Sequence, residues 1–456
     1  MRFTHYAAAT LATAALMASP AHAQTPDDVA ALRRDMDAMR QDYQTRIDEL
    51  EARLAKAEAD AAAARAATAG QANALQTLPG DTTPPVELAV ADAPPAAPAS
   101  SNPNIYNPGI AVALNGFFNA ARKDTGDDRI AGVATGDAVG RPARGFSLGE
   151  SEVSFAANVD PTLAAFLDFS IGAENDVSLE EAYIRTTALP GGFTIKAGRF
   201  LSSIGYLNER HAHDWSFSDA PLPYRAFLNT QLGDDGIQVR WIAPTDQYLE
   251  FGAEAFRGES YPAAGANNTG VGAYSAFVRT GADIDASSSY LAALSYLHTE
   301  ATDRESRGDL FSGSTDLGIA SLIYKWAPGG NPLVRNLTLA GEYFYRKEDG
   351  TFNAIPVNQT RAGWYAQGVY QFKPQWSAGL RVAGLNSENP GALLAGSQLD
   401  DLGHTPLDYT ALLEFDTSEF GRLRLQYTRD DASADPNDIL TLQYTVIYGP
   451  HGAHRY

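Results

Sequence analysis

The 456-residue chain has no cysteine, so neither disulfides nor thiolate metal sites contribute to it. After Ala23 it also lacks any run of about eighteen apolar residues, which argues against helices as membrane spans. Positive charge is scarce: 34 Lys plus Arg stand against 55 Asp plus Glu, a net charge of −21. An acidic chain is a poor partner for nucleic acid, whose phosphates are bound by neutralisation. The acidity itself has two readings, solvated external loops or a field that favours cations. No nucleophile elbow, Walker loop or paired-carboxylate motif occurs, and Ser and His are dispersed, so the chain does not read as an enzyme.

What the chain does have is alternation. From Ile110 to Tyr448 a segment of alternating apolar and polar side chains, followed by a connector, recurs about sixteen times. In the stretch 337–346, Leu337, Leu339, Tyr343 and Tyr345 share one face, while Thr338, Glu342 and Arg346 share the other. Successive strand side chains point to opposite faces, and a tilted strand of about 9–11 residues crosses a bilayer. Strands are therefore expected at 110–119, 145–157, 162–172, 177–187, 193–199, 235–243, 247–257, 271–282, 287–299 and 313–326. The remaining six are 335–346, 360–372, 375–386, 405–416, 421–430 and 438–448. The fold class is all-β: an antiparallel transmembrane β-barrel of about 16 strands, with a polar lumen and lipid outside.

The connectors agree with this. Tight turns such as Val159-Asp160-Pro161, Leu189-Pro190-Gly191-Gly192 and Lys373-Pro374 follow even strands. The long connectors, 120–144, 200–234, 258–270, 347–359 and 387–404, follow odd ones. Short periplasmic turns and long external loops are the habit of outer-membrane barrels.

Before the barrel, residues 1–23 read as a signal peptide, with Arg2, a short apolar stretch and the Ala21-His22-Ala23 cleavage site. Residues 24–67 read as a short periplasmic coiled coil, because Val29, Leu32, Met36, Met39 and Tyr43 fall three and four apart. Residues 68–109, rich in Pro and Ala, read as a semi-rigid linker. The barrel domain is 110–456. Its partners would be outer-membrane lipid and the barrel-assembly machinery, for which the terminal aromatic Tyr456 is a signal.

Several side chains must face the lumen, since a charge facing lipid at the midplane costs about 2–4 kcal/mol. These are Arg240, Glu250, Glu254, Glu342, Arg346, Arg422 and Arg424, each on the polar face of a strand whose other face is apolar. The plain reading is lumen polarity with cross-strand ion pairs, and a tuned ion ladder is the alternative. The strand 177–187 resists assignment, because Glu180 and Glu181 are adjacent and one would have to face outward or lie near a rim.

The connector 200–234 is the most unusual segment. It carries Glu209, Arg210, His211, His213 and Asp214, then Asp219 and Arg225. If the loop is extended, His211 and His213 project to one side with Glu209 or Asp214 nearby. Two imidazoles and a carboxylate suit a divalent transition metal, zinc above all. A single His-x-His is a weak signal, and its plainer reading is a polar loop. A second pair, His451 and His454, lies at the C-terminal end.

An exported coiled coil, a Pro-rich spacer and a sixteen-stranded barrel together resemble the phosphate-selective porin O and P family. In sequence the resemblance is best at 179–184 (Leu-Glu-Glu-Ala-Tyr-Ile) and 193–200 (Phe-Thr-Ile-Lys-Ala-Gly-Arg-Phe). It implies a homotrimeric channel for small anions, with the loop after the fifth strand folded inward as the constriction. The barrel lysines are Lys123, Lys196, Lys325, Lys347 and Lys373, none in that loop. Residues 208–228 and the ending His-Gly-Ala-His-Arg-Tyr also look like proteobacterial outer-membrane proteins labelled zinc-regulated TonB-dependent receptors. A receptor of that kind needs a plugged 22-stranded barrel, and residues 24–109 offer only helix and linker. The expected function is a porin-type outer-membrane channel for passive diffusion of small hydrophilic solutes or ions, without a cofactor. Uptake of a divalent metal such as zinc is the alternative.

Overall fold

The structure, a computed structural model, describes residues 108–449 except 126–128, 137–138, 174–175, 264–269 and 387–389. The expected signal peptide, coiled coil and linker, and His451, His454 and Tyr456, lie outside the described residues.

Seventeen strands form one antiparallel sheet. They are β1 (Gly109–Ala121), β2 (Gly145–Leu148), β3 (Ser151–Asp160), β4 (Leu163–Ile171), β5 (Val177–Thr186), β6 (Phe193–Leu201), β7 (Gly233–Ile242), β8 (Tyr248–Phe256) and β9 (Ala273–Asp285). The rest are β10 (Ser288–Ser306), β11 (Asp309–Trp326), β12 (Asn336–Phe352), β13 (Ile355–Lys373), β14 (Trp376–Asn386), β15 (Leu407–Ser418), β16 (Gly421–Asp431) and β17 (Asn437–Tyr448). β2 and β3 both pair with β1, so the expected strand 145–157 is one position broken at 149–150, and the ring has sixteen positions. β1 also pairs with β17, from Val112 opposite Tyr448 to Ala121 opposite Ile439, which closes the barrel and leaves no free edge.

Closure sorts the alternating side chains. Leu423, Leu425, Tyr427, Leu440, Leu442, Tyr444 and Val446 are exposed on the outside, while Arg422, Arg424, Gln426, Thr441, Gln443 and Thr445 are buried within. An apolar outer band is stable only against lipid. At the short-turn end, Trp241 stacks between Phe193 and Phe251, and Trp376 lies 4.8 Å from Phe415, in the manner of an interfacial aromatic girdle.

Two features correct the loop boundaries. Residues 347–359 are not a loop: β12 and β13 run on to a two-residue turn at Asn353-Ala354, with φ of 49° and 64°. β10 and β11 do the same, turning at Arg307-Gly308. These strands of 17–19 residues outrun the bilayer. Beyond the lipid both faces meet water or protein, so the alternation fades although the ladder continues. The long connector 122–144 also departs from the picture of an external loop. Ile130, Ala131, Val133, Ala134 and Val139 are buried, and Gly132 O accepts from Arg361 Nε of β13 at 2.8 Å.

Candidate functional site within the barrel

The segment between β6 and β7 leaves the fifth strand position and crosses the interior. Its helix α1 (Leu222–Leu228) is buried at every residue. Tyr224 and Phe227 pack on Phe344 of β12, with ring centroids 5.1 and 6.3 Å apart. Burial of a large apolar side chain is worth about 1.5–3 kcal/mol, so this docking is substantial. Polar ties reinforce it. Glu342 of β12 accepts from Tyr224 Oη at 2.7 Å, Tyr365 Oη at 2.7 Å, Ser321 Oγ at 2.5 Å and the Tyr206 amide at 2.8 Å. Gly205 passes so close, at φ +67°, that a Cβ there would lie 2.4 Å from Tyr224 Oη. Four positions further round the ring, on β16, Arg424 Nη2 donates to Trp215 O at 3.0 Å, and Arg422 Nη2 to His213 O.

The expected lumen residues all point inward, and most are neutralised locally. Arg240 pairs with Glu250 at 2.5 Å, Arg424 with Glu414 at 2.6 Å, and Glu348 gathers Arg304, Arg346 and Arg361. Arg422 Nε lies 3.6 Å from Glu414. Glu254 instead accepts from the Ser203 amide at 2.8 Å, Gln238 Nε2 at 2.7 Å and Ser275 Oγ at 2.5 Å.

The constriction candidates separate into two groups. Asp219 is sequestered between Arg141 and Arg381, and Arg225 donates to Val139 O and pairs with Asp408, so both are packed away from open space. Burial raises the Asp219 carboxyl, but the Arg381 and Arg141 guanidiniums outweigh it and hold it well below the usual carboxylate range. In contrast, Glu209, Arg210, His211 and Asp214 are only partly buried. Glu209 meets Arg279 at 2.8 Å rather than the histidines. With Arg210, Arg279 and Lys325 it lines a cavity of about 310 Å³.

His211 and His213 come together, not on an extended strand but around a 3₁₀ turn at Ala212–Asp214, with ring centroids 5.7 Å apart. Of the two expected carboxylates only Asp214 is near, its Oδ1 3.7 Å from His213 Nε2. The wall supplies others. His211 Nδ1 lies 2.9 Å from Glu152 Oε2 on β3, 3.5 Å from Asp168 Oδ2 on β4 and 3.6 Å from Glu180 Oε2 on β5. Its Nε2–H donates to Glu181 Oε2 at 3.1 Å, and His213 Nδ1–H donates to Glu152 Oε1 at 2.9 Å.

Glu180 and Glu181 both reach this nest because the ladder steps from Asp168–Glu181 to Phe169–Leu179, leaving Glu180 as the extra residue of a β-bulge. Neither acid has to face lipid or a rim. Among the described residues no Arg or Lys pairs with Glu152, Asp168, Glu180 or Glu181, unlike most carboxylates of the lumen. The imidazoles answer that charge. Burial disfavours a charged His211, yet Glu152 and Glu180 outweigh it and hold the ring well above its ordinary value; Glu152 and Asp214 raise His213 likewise. Sequence reasoning placed the histidines but missed the wall acids, which three strands bring together only through their register.

A closed ring of sixteen positions, an apolar outer band, a polar interior and an inward segment after the fifth position define a porin-like outer-membrane β-barrel. No protein-family model matches the sequence. A protein of Aquifex aeolicus (strain VF5), carrying the name "Uncharacterized protein", is 32% identical over 339 residues, 68% of this chain and 70% of that one. The chain belongs to the same family as this Aquifex protein. Among solved structures, the anion-selective porin of Comamonas acidovorans is 11% identical, with a TM-score of 0.49 over 75% of this chain and 98% of that one. Pseudomonas putida OprB is 13% identical, with a TM-score of 0.49 over 75% and 94%. The outer membrane channel DcaP of Acinetobacter baumannii is 10% identical, with a TM-score of 0.47 over 74% and 96%.

Proposed function

We propose that this protein is a passive, non-enzymatic diffusion channel of the outer membrane for small hydrophilic solutes or ions. The reading rests on one observation: the 202–232 segment is docked across a polar lumen, with Glu209, Arg210, His211 and Asp214 left partly exposed and His213 buried between them. Charged groups held at a narrowing decide which ions pass. Residues 209–214 and the acidic nest of β3–β5 are the proposed filter. A preference for phosphate, implied by the porin O and P resemblance, is not part of the proposal, because this partly exposed stretch lies against carboxylates that no Arg or Lys among the described residues neutralises. Uptake of a divalent metal as the main task is also set aside. Glu152 and Asp168 are buried in the wall, which suits a fixed site better than a transit step. The proposed assembly is a homotrimer, for which the helical spacing of residues 27–66 is the support, with that helix in the periplasm. Planar-bilayer recording of the folded full-length protein tests the channel. Stepwise conductance is expected, and its absence in folded protein overturns the reading.

A further inference from the structure

The nest beneath His211 has the make-up of a built site rather than of a solvated acidic patch. Glu152 and Asp168 are each only 1% exposed. Asp168 Oδ1 and Glu180 Oε2 have no hydrogen-bond partner and Glu152 Oε2 meets only His211 Nδ1, at 2.9 Å, although Glu152, Asp168, Glu180 and His211 each bring a ligand atom within 4.8 Å of the others. Buried polar atoms without partners are costly and call for an explanation. The outward-turned atoms are held in place. Glu181 fixes the His211 ring through Nε2, His213 fixes Glu152 through Oε1, and Ser154 Oγ donates to Asp168 Oδ2 at 3.2 Å. A carboxylate behind the far nitrogen of a histidine is the arrangement that orients metal-binding imidazoles.

We propose that Glu152, Asp168, Glu180 and His211 bind one divalent first-row transition cation, which ties the inward segment to the β3–β5 wall. Three carboxylates and one imidazole suit such an ion, whereas calcium prefers six to eight oxygens. Ligands about 2.1 Å from a tetrahedral ion stand about 3.4 Å apart. His211 Nδ1 already lies 2.9 Å from Glu152 Oε2, 3.5 Å from Asp168 Oδ2 and 3.6 Å from Glu180 Oε2. His211 rides on the inward segment and the acids on the wall, so an ion between them is a clasp. The clasp would hold the filter of the proposed channel in place, so its significance rests on that reading.

The test uses full-length protein refolded in detergent, stripped with a chelator and titrated calorimetrically with zinc and, separately, manganese. One cation per chain is expected, with affinity at least about tenfold weaker in Asp168→Asn and in His211→Ala. The double variant His451→Ala/His454→Ala should bind as the wild type does. Glu180→Gln, at the partly exposed edge of the nest, serves as a second probe if the buried variants fail to fold. Hydrogen exchange of residues 205–215 should slow when the cation is added. Absence of binding by folded wild type, equal affinity in folded Asp168→Asn, His211→Ala or Glu180→Gln, or loss of binding with His451 and His454 instead overturns the site. Binding without slower exchange overturns the clasp. None of these readouts uses current, so a protein that conducts but binds nothing refutes the site and leaves the channel standing.

Discussion

The Arg141 guanidinium meets the Asp219 carboxylate at 2.8 Å inside the barrel, although the two residues lie on different connectors. Arg141 comes from the connector after β1, and Asp219 from the inward segment after β6. Arg141 also reaches Asp408, at 2.9 Å, and Asp430, while Arg381 reaches Asp219 at 2.6 Å. Both connectors are thus fastened to each other and to β14–β16. Removing one partner from such a buried cluster leaves charges unpaired, at a cost of about 3–5 kcal/mol. The β1–β17 closure does not depend on it. Asp219→Asn should therefore loosen the inward segment while the barrel stays folded. Limited proteolysis within 202–232 should become faster, with gel mobility still that of a closed barrel; unchanged cleavage would contradict the tie.

The same pair sets an expectation for pH. An exposed aspartate titrates near 3.9, and Asp219 is held below that by Arg381 and Arg141. A lowered carboxylate contributes stability above its unfolded value and loses it as pH falls through the lowered one. The Asp219 tie should accordingly hold undiminished from pH 8 down to about 4 and fail only in stronger acid. Proteolysis of the segment, measured with an acid-active protease, should rise below about pH 3. A rise centred near neutrality would assign the fastening to other groups.

Much of the barrel is legible in the sequence because lipid and water impose opposite demands on alternate residues. That demand stops where lipid stops, which is why the tops of β10–β13, including Lys347, Glu348 and Asp349, read as loop. The inward segment is legible from its length and its histidines. Its docking wall left a fainter signal: Phe256, Leu297, Leu317, Phe344 and Leu385 are large apolar residues on inward faces, where polarity is the rule. Connector 122–144 was legible only in the apolar run around Ile130 and Val133. The bulge at Glu180 shows in the sequence only as the adjacent Glu180 and Glu181 that break the alternation, since an extra residue in a ladder is defined by the partner strand.

Tyr224 offers a finer test of docking. Its hydroxyl donates to Glu342 and accepts from the Leu207 amide at 3.0 Å and the Tyr206 amide at 3.1 Å. The Tyr206 amide has a second acceptor in Glu342, so Tyr224→Phe orphans chiefly the buried Leu207 N–H. An orphaned buried donor costs about 1–3 kcal/mol. Tyr365→Phe removes a single donor to Glu342 and orphans no amide. Hydrogen exchange at 204–210 should therefore accelerate more in Tyr224→Phe than in Tyr365→Phe, and equal acceleration would refute the assignment.

Charge preference can be read at Glu180, the bulged acid whose side chain keeps 13% of its exposure and which no Arg or Lys among the described residues neutralises. A unit charge about 6 Å from a passing ion in a water-like medium is worth about 0.7 kcal/mol, a factor of about three in partition. With chelator present, Glu180→Gln should lower cation partition and raise anion partition by about that factor each, so the cation-to-anion permeability ratio should fall about tenfold. The reversal potential in a potassium chloride gradient measures it. Glu259→Gln, at an exposed pair with Arg257, should shift it little. If both variants shift it equally, the acidity of the chain acts as a diffuse external field and the β3–β5 wall is not the filter.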